Sequence, residues 1–245
     1  MEPLTLGLLV TCAFIAGIFD ATVGGGGFIL IPFLAFTGLT IQLAIGTSRL
    51  IFLMDSFSAL VGHAGKKNID CKTALTYVVA SVFGAQLGAY ATSHLPNGTM
   101  SLLFGLFMLS MLFLIIFNKN FGITDKRRMK RQIFNIPTGF FVGFLIGMFG
   151  GGVGIVIIIL LVFVSGLTML HASGTSQLVV FVTNISAIFA YWSYDLIDFK
   201  LGFVLGVAAM LGAQAGVVVA HKVGNEWLRR ILILVTVVSA LKLIF

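Results

Sequence analysis

The chain is short of charge, of cysteine and of histidine. Charged residues are 9% of it, against about a quarter in a soluble domain, too few to cover a globule with polar surface. A soluble protein is excluded, and apolar segments recurring from end to end leave no room for a separate soluble domain. Cys12 and Cys71 are the only cysteines, with neither the spacing nor the setting of a disulfide framework or metal site. His63, His94, His171 and His221 are scattered, so no metal and no cofactor is expected. No nucleotide-binding loop is present, so transport energy has to come from a gradient or a partner. The first apolar run starts at Leu4 without a basic n-region or a small-residue cleavage pattern, and reads as retained structure rather than a signal peptide.

What is there in abundance is hydrophobicity: 59% of the residues, with a mean hydropathy of +1.12. This is an all-α integral membrane protein. Its net charge of +7 would suit a nucleic acid in a soluble protein; here it reads as cytoplasmic loops, and no nucleic-acid partner is expected.

The sequence matches itself at an offset of 128 residues. GTSRL at 46–50 falls on GTSQL at 174–178, and GAQLG at 84–88 on GAQAG at 212–216. GLT at 38–40 falls on GLT at 166–168, and ID at 69–70 on ID at 197–198. One offset held over about 80 residues signals an internal duplication. Residues 1–117 form the first half, 118–135 a basic linker containing DKRRMKR, and 136–245 the second half. Each half opens on an apolar stretch broken by glycines, GGGG at 24–27 and GGGVG at 150–154, matched with a two-residue indel. Three unbroken spans follow, near 42–63, 72–94 and 100–117, then near 170–191, 200–221 and 228–245. Each is long enough to cross about 30 Å of hydrocarbon. Asp70 and Asp198 stand where N-caps belong.

Lysine and arginine mark cytoplasmic loops. They collect at 64–72, in the linker 118–136 and at 221–230, whereas 192–200 holds only Lys200 beside Asp195 and Asp198. Loops 64–72 and 192–200 are repeat equivalents, yet the first is expected inside and the second outside. The halves are then inverted repeats, which needs an odd number of crossings in each. Three spans supply it if each glycine-broken stretch is a re-entrant helix pair. The stretch after the first break, 28–37, reaches only about 15 Å, half a bilayer. The competing readings are eight simple crossings with parallel halves, and glycines that serve only close helix packing.

A helix restarting after each break presents free N–H groups and a positive dipole end. Two such ends facing one point suit an anion, and glycine lets a ligand approach the backbone. The expected site is therefore Gly24, Gly25, Gly26 and Gly27 with Gly150, Gly151, Gly152 and Gly154. Thr47, Ser48, Thr175 and Ser176 supply hydroxyls, and Gln86 and Gln214 amides. For the hydroxyls the alternative is bonding back to their own helix; for the glutamines it is a clamp between helices. Asn184 is compatible with either role. Three charges fall within apolar stretches and are functional candidates by default: Asp20, Arg49 and Asp55. Arg49 either holds an anion, pairs with an aspartate, or snorkels to the interface. Asp20 and Asp55 are candidates for carrying a coupling proton.

The glycine-rich first segment, the GTS opening of the next span, the NID before the third and the repeated plan resemble the sulfite exporter TauE/SafE family over nearly the whole chain. The resemblance implies eight membrane segments in the conventional count and transport of sulfur-containing anions such as sulfite, thiosulfate and sulfonates. This chain departs from the family pattern in carrying Arg49 after GTS and glutamine within GAQ. The expected function is secondary transport of a small anion in the cell membrane, the inner membrane of a bacterium, with a passive anion channel as the alternative. The partners expected are the anion, the bilayer and protons as coupling ion. An intramembrane enzyme is not expected: GTSR and GTSQ resemble a rhomboid Gly-x-Ser, but the trailing glycine and a histidine at useful depth are missing.

Overall fold

The structure, a computed structural model, describes residues 3–65, 67–117 and 134–222. Within them it is all helical. The helices are α1 (Pro3–Val23), α2 (Gly27–Phe36), α3 (Ile41–Ala64), α4 (Cys71–His94), α5 (Asn97–Phe117), α6 (Asn135–Phe149), α7 (Gly154–Phe163), α8 (Met169–Ser193) and α9 (Phe199–Lys222). The five unbroken spans expected within this range match α3, α4, α5, α8 and α9. The expected span at 228–245 and most of the linker lie outside the described residues.

Local chemistry sets the boundaries. The Asp70 carboxylate accepts from Thr73 N at 3.1 Å and that of Asp198 from Leu201 N at 2.9 Å, capping α4 and α9. Thr40 and Thr168, each closing a Gly-Leu-Thr turn, cap α3 and α8. The preceding Gly38 and Gly166 sit at φ +95° and +72°, where a side chain would be strained. Among the described residues five helices are long and apolar enough to cross a membrane: α1, α3, α4, α8 and α9. Their outward faces carry residues such as Leu4, Phe83, Phe189, Phe203 and Leu211, all more than half exposed, as lipid contact requires. This is a multi-pass protein of the cell membrane.

Small residues set the helix directions. Gly212 and Gly216 of α9 lie on the carbonyls of Phe14 and Ile18 in α1, and Gly84 and Gly88 of α4 lie on those of Phe140 and Phe144 in α6. Residue numbers rise together in both pairs, so α1 runs parallel to α9 and α6 parallel to α4. The backbones approach closely because glycine leaves nothing between them. Asp198 N donates to Thr47 Oγ1 and Asp70 N to Thr175 Oγ1, both at 3.0 Å. Deeper in the same pairs, Ser58 Oγ donates to Met210 O at 2.9 Å and Gln86 Nε2 to Ser186 O at 2.8 Å. Hence α3 is parallel to α9, and α4 to α8. In contrast α3 and α8 run antiparallel, with Gly46 against Tyr191 and Phe57 against Phe181. It follows that α1 starts, and α2 ends, on the side where α3 starts. In the same way α6 starts, and α7 ends, on the opposite side.

Candidate functional site

The two glycine breaks pack on each other. A Cβ on Gly24 would lie 2.6 Å from Gly154 Cα, and one on Gly27 would collide with Gly151. Phe52, halfway along α3, covers Gly151, and the Phe28 ring covers Gly152. A Cβ on Gly26 would meet Ala16 O and come within 2.9 Å of Asp20 Cβ. Space expected to admit a ligand between the breaks is thus taken by protein backbone and two aromatic rings. Gly24, Gly150 and Gly152 also need their glycine, at φ +76°, +85° and +85°.

Polar groups gather on either side of this contact. Beside the α6–α7 break is Arg49, 1% exposed. It does not snorkel. Its Nη2 donates to Gly147 O at 3.3 Å and its Nη1 to Asn184 Oδ1 at 3.4 Å; both bonds are long. Cζ stands 5.2 Å from the centroid of the Tyr191 ring, within cation–π reach, while the Tyr191 hydroxyl donates to Gly147 O at 2.7 Å. Nε is buried without a partner. Among the described residues no carboxylate lies within ion-pairing range, so the alternative of pairing with an aspartate is not realised. Gly150, the first residue of the break, faces this group: a Cβ there would lie 3.1 Å from Ser48 Oγ and 3.2 Å from Arg49 Nη2. The restarting helix α7 has no side-chain cap. An unpaired guanidinium inside a protein is costly unless an anion joins it, and this one is surrounded by neutral groups.

Beside the α1–α2 break the chemistry has the opposite sign. The Asp55 carboxyl lies against α1 one turn before Asp20, its Oδ1 3.0 Å from where a Cβ on Gly17 would sit, and beside the Asp20 carboxyl; the two residues are 0% and 4% exposed. Gln177 Nε2 donates to Asp20 O at 3.0 Å. Ser173 Oγ reaches the carbonyls of Ala21 and Thr22, and His63 Nε2 lies 3.3 Å from Ala21 O.

The other expected site residues hold helices together. Thr47 and Thr175 latch onto the turns before α9 and α4. Gln86 bonds Ser186, and Gln214 Nε2 donates to Ser58 O and Oγ at 2.6 and 2.9 Å. Ser48 and Ser176 each donate to the backbone three residues back, at 2.7 Å. Sequence reading missed Tyr191 and Gln177. A signal for Gln177 existed, since it stands where Arg49 stands in the other GTS segment; for Tyr191 there was none. Replacing Gln214 by leucine is expected to cost about 0.5–2 kcal/mol of stability, the range of interhelical hydrogen bonds in membranes. Thermal unfolding in detergent reads this, and affinity for the transported solute should not change.

A family model described as sulfite exporter TauE/SafE matches residues 9–243. The chain belongs to this family. Among curated relatives, a probable membrane transporter protein, ORF9, of Sinorhizobium sp is 28% identical over 240 residues, covering 98% of this chain and 92% of its own. One from Haemophilus influenzae is 24% identical, covering 98% and 94%. The probable membrane transporter protein YfcA of Escherichia coli K12 is 25% identical, covering 100% and 91%. No solved structure matches the chain. Membership of the TauE/SafE family makes this a protein of a membrane transporter family.

Proposed function

We propose that this TauE/SafE protein is a secondary transporter that binds a small mono- or divalent anion at Arg49, beside the α6–α7 break, and exposes it to the two sides of the membrane in turn. The observation that carries this reading is a guanidinium 1% exposed, without a carboxylate and with an orphan Nε. The start of α7, which has no side-chain cap and begins four residues after Gly150, supplies further N–H donors. A compact oxyanion has enough acceptor oxygens for all of them. That it contains sulfur, as sulfite, thiosulfate or a sulfonate, rests on the family's name. Close packing of the two breaks favours a carrier over a passive channel, because no path between them is open. It favours a carrier over an enzyme too, since no nucleophile with a base lies at the anion's position.

The fold reading behind this is two inverted halves, 1–117 and 136–245, joined by the linker 118–135, each with a re-entrant pair (α1–α2, α6–α7) and three crossings. Support comes from contacts that recur 128 residues on with the halves exchanged, Thr47–Asp198 with Thr175–Asp70 and Gln86–Ser186 with Gln214–Ser58. The antiparallel course of α3 and α8, which are repeat equivalents, supports it as well. An alternating-access carrier built from inverted repeats with broken helices is a known design. Energy then comes from an ion gradient, with Asp20 and Asp55 as candidates for carrying a proton.

Two measurements test the proposal. Purified protein should be thermally stabilised by sulfite, thiosulfate, sulfate or a short sulfonate; if all four fail and a neutral solute or a cation succeeds, the anion site is wrong. For topology, Ser193→Cys in a Cys71→Ser background should react with an impermeant thiol reagent in intact cells, while native Cys71, exposed at the start of α4, reacts only after permeabilisation. The reverse pattern would overturn the assignment of sides.

A further inference from the structure

Orphaned polar atoms of Arg49 and of the groups at the α1–α2 break segregate by type. At the α6–α7 break the unpartnered atom is a donor, Arg49 Nε. At the α1–α2 break Asp55 Oδ1, Asp55 Oδ2 and Gln177 Oε1 are buried acceptors without a donor, on side chains 0% and 1% exposed. A buried acceptor without a donor costs the full desolvation of the group, and two carboxylates in contact repel as well. The missing partner at this break is therefore positive.

The surroundings narrow its identity. From α1 comes Asp20, whose carboxyl lies beside that of Asp55. From α3 comes Asp55 itself, and about two turns later His63, whose Nε2 lies 3.3 Å from Ala21 O. From α8 come Gln177 and Ser173, both neutral and both bonded to α1 carbonyls. From α9 comes backbone only, at Ala209, which a Cβ on Gly17 would strike while coming within 3.0 Å of Asp55 Oδ1. Among the described residues no lysine or arginine joins the pair; Arg49 is turned to Gly147 and Asn184. Two acceptor-only groups in contact become a hydrogen-bonded pair when one of them carries a proton, and need no further ligand. Sodium would need several more oxygens than this packed pair offers.

We propose that Asp20 and Asp55 form one proton site, a carboxyl–carboxylate pair sharing a single proton, which carries the coupling proton of the anion transport proposed above. The pair lies between α1, just before its break, and the unbroken α3. Movement of the α1–α2 pair relative to α3 separates the carboxyls. Each then needs water or a proton of its own, so access of the site to one side of the membrane is tied to its loading. Anion and proton occupy different breaks, with Arg49 and Asp55 six residues apart on the same helix, so a shift of α3 is felt at both.

This rests on the transporter reading, and the test separates the two. Infrared spectroscopy of the purified full-length protein at neutral pH, without any anion, is expected to show the carbonyl stretch of one protonated carboxylic acid. The doubly amidated variant Asp20→Asn with Asp55→Asn is expected to lack it. Absence of the band in the wild type overturns the proton site whether or not the variant folds. Loss of the wild-type band on adding sodium also overturns it, in favour of a sodium site. In proteoliposomes, anion flux in the wild type is expected to follow an imposed pH gradient, and in Asp55→Asn to persist downhill without responding to pH. A pH response in Asp55→Asn equal to the wild type's removes the coupling role. If the infrared band is present and no anion is carried at all, the proton pair stands and the anion reading falls.

Discussion

Replacing Arg49 with glutamine is expected to weaken anion binding about 100-fold, roughly 3 kcal/mol, as loss of a charged hydrogen-bonding partner does. The same protein without anion should be at least as thermostable as the wild type. Its two hydrogen bonds, at 3.3 and 3.4 Å, are weak return for a buried guanidinium with no counter-ion, and removing such a charge relieves a desolvation penalty. An arginine that merely cross-links α3, α6 and α8 would behave the other way: glutamine would lower the melting temperature and leave solute affinity alone. Arg49→Lys should fall between wild type and Arg49→Gln, since it keeps the charge and loses the planar fork that spans two oxygens. Isothermal titration together with thermal unfolding, with and without the anion, separates these outcomes.

The second large effect is expected at Gly27. A single methyl there, in Gly27→Ala, would collide with Gly151 and stand 2.6 Å from Gly152 N. Both obstacles are backbone, and neither can rotate aside. Overpacking of this kind typically costs 1–3 kcal/mol and more where nothing yields, so we expect either no folded protein or transport lowered by at least about tenfold. Gly7→Ala is the control. Nothing lies within 4 Å of a Cβ at Gly7, which sits inside α1, and alanine there should be neutral or stabilising by up to about 1 kcal/mol. Equal loss of transport in both variants would mean that the contact between the breaks has no special weight. Transport in proteoliposomes, scored per folded molecule by size-exclusion chromatography, decides it.

Much of the fold was legible because membrane helices announce themselves. Length, hydropathy and the aspartate caps place α3, α4, α8 and α9 to within two residues. The 128-residue offset put Thr47 and Thr175 at equivalent positions, expected as site hydroxyls, where the structure has both as latches on Asp198 and Asp70. The site was harder. Periodicity does not say whether a glycine is empty space for a ligand or for another glycine, so the breaks were read as open where they close on each other. Nor does a sequence say which of three buried charges meet. Arg49 and Asp55 lie within two turns of each other along α3, yet the packing of α6 and α8 turns Arg49 to neutral acceptors and leaves Asp55 with Asp20. Gln86 and Gln214 carried two readings on the page, and only the positions of Ser186 and Ser58 decide for the clamp.

Pairing of early helices with late ones has a consequence for how the protein is made. Among the described helices α4 packs most closely on α6 and α1 on α9, so the main packing surfaces of α4 and α1 are made only later in the chain. When α4 leaves the ribosome, α6 begins 41 residues later along the chain, at Asn135, and α9 later still. At about 5–20 residues per second, translation leaves Arg49 and the glycine faces of α1 and α4 without their later partners for several seconds. During that interval they must be sheltered by the insertion machinery or by each other. Membrane insertion of this chain is therefore expected to finish late and in one step, after α9 has emerged. Truncation before α9 should yield protein that is degraded rather than a half-sized carrier.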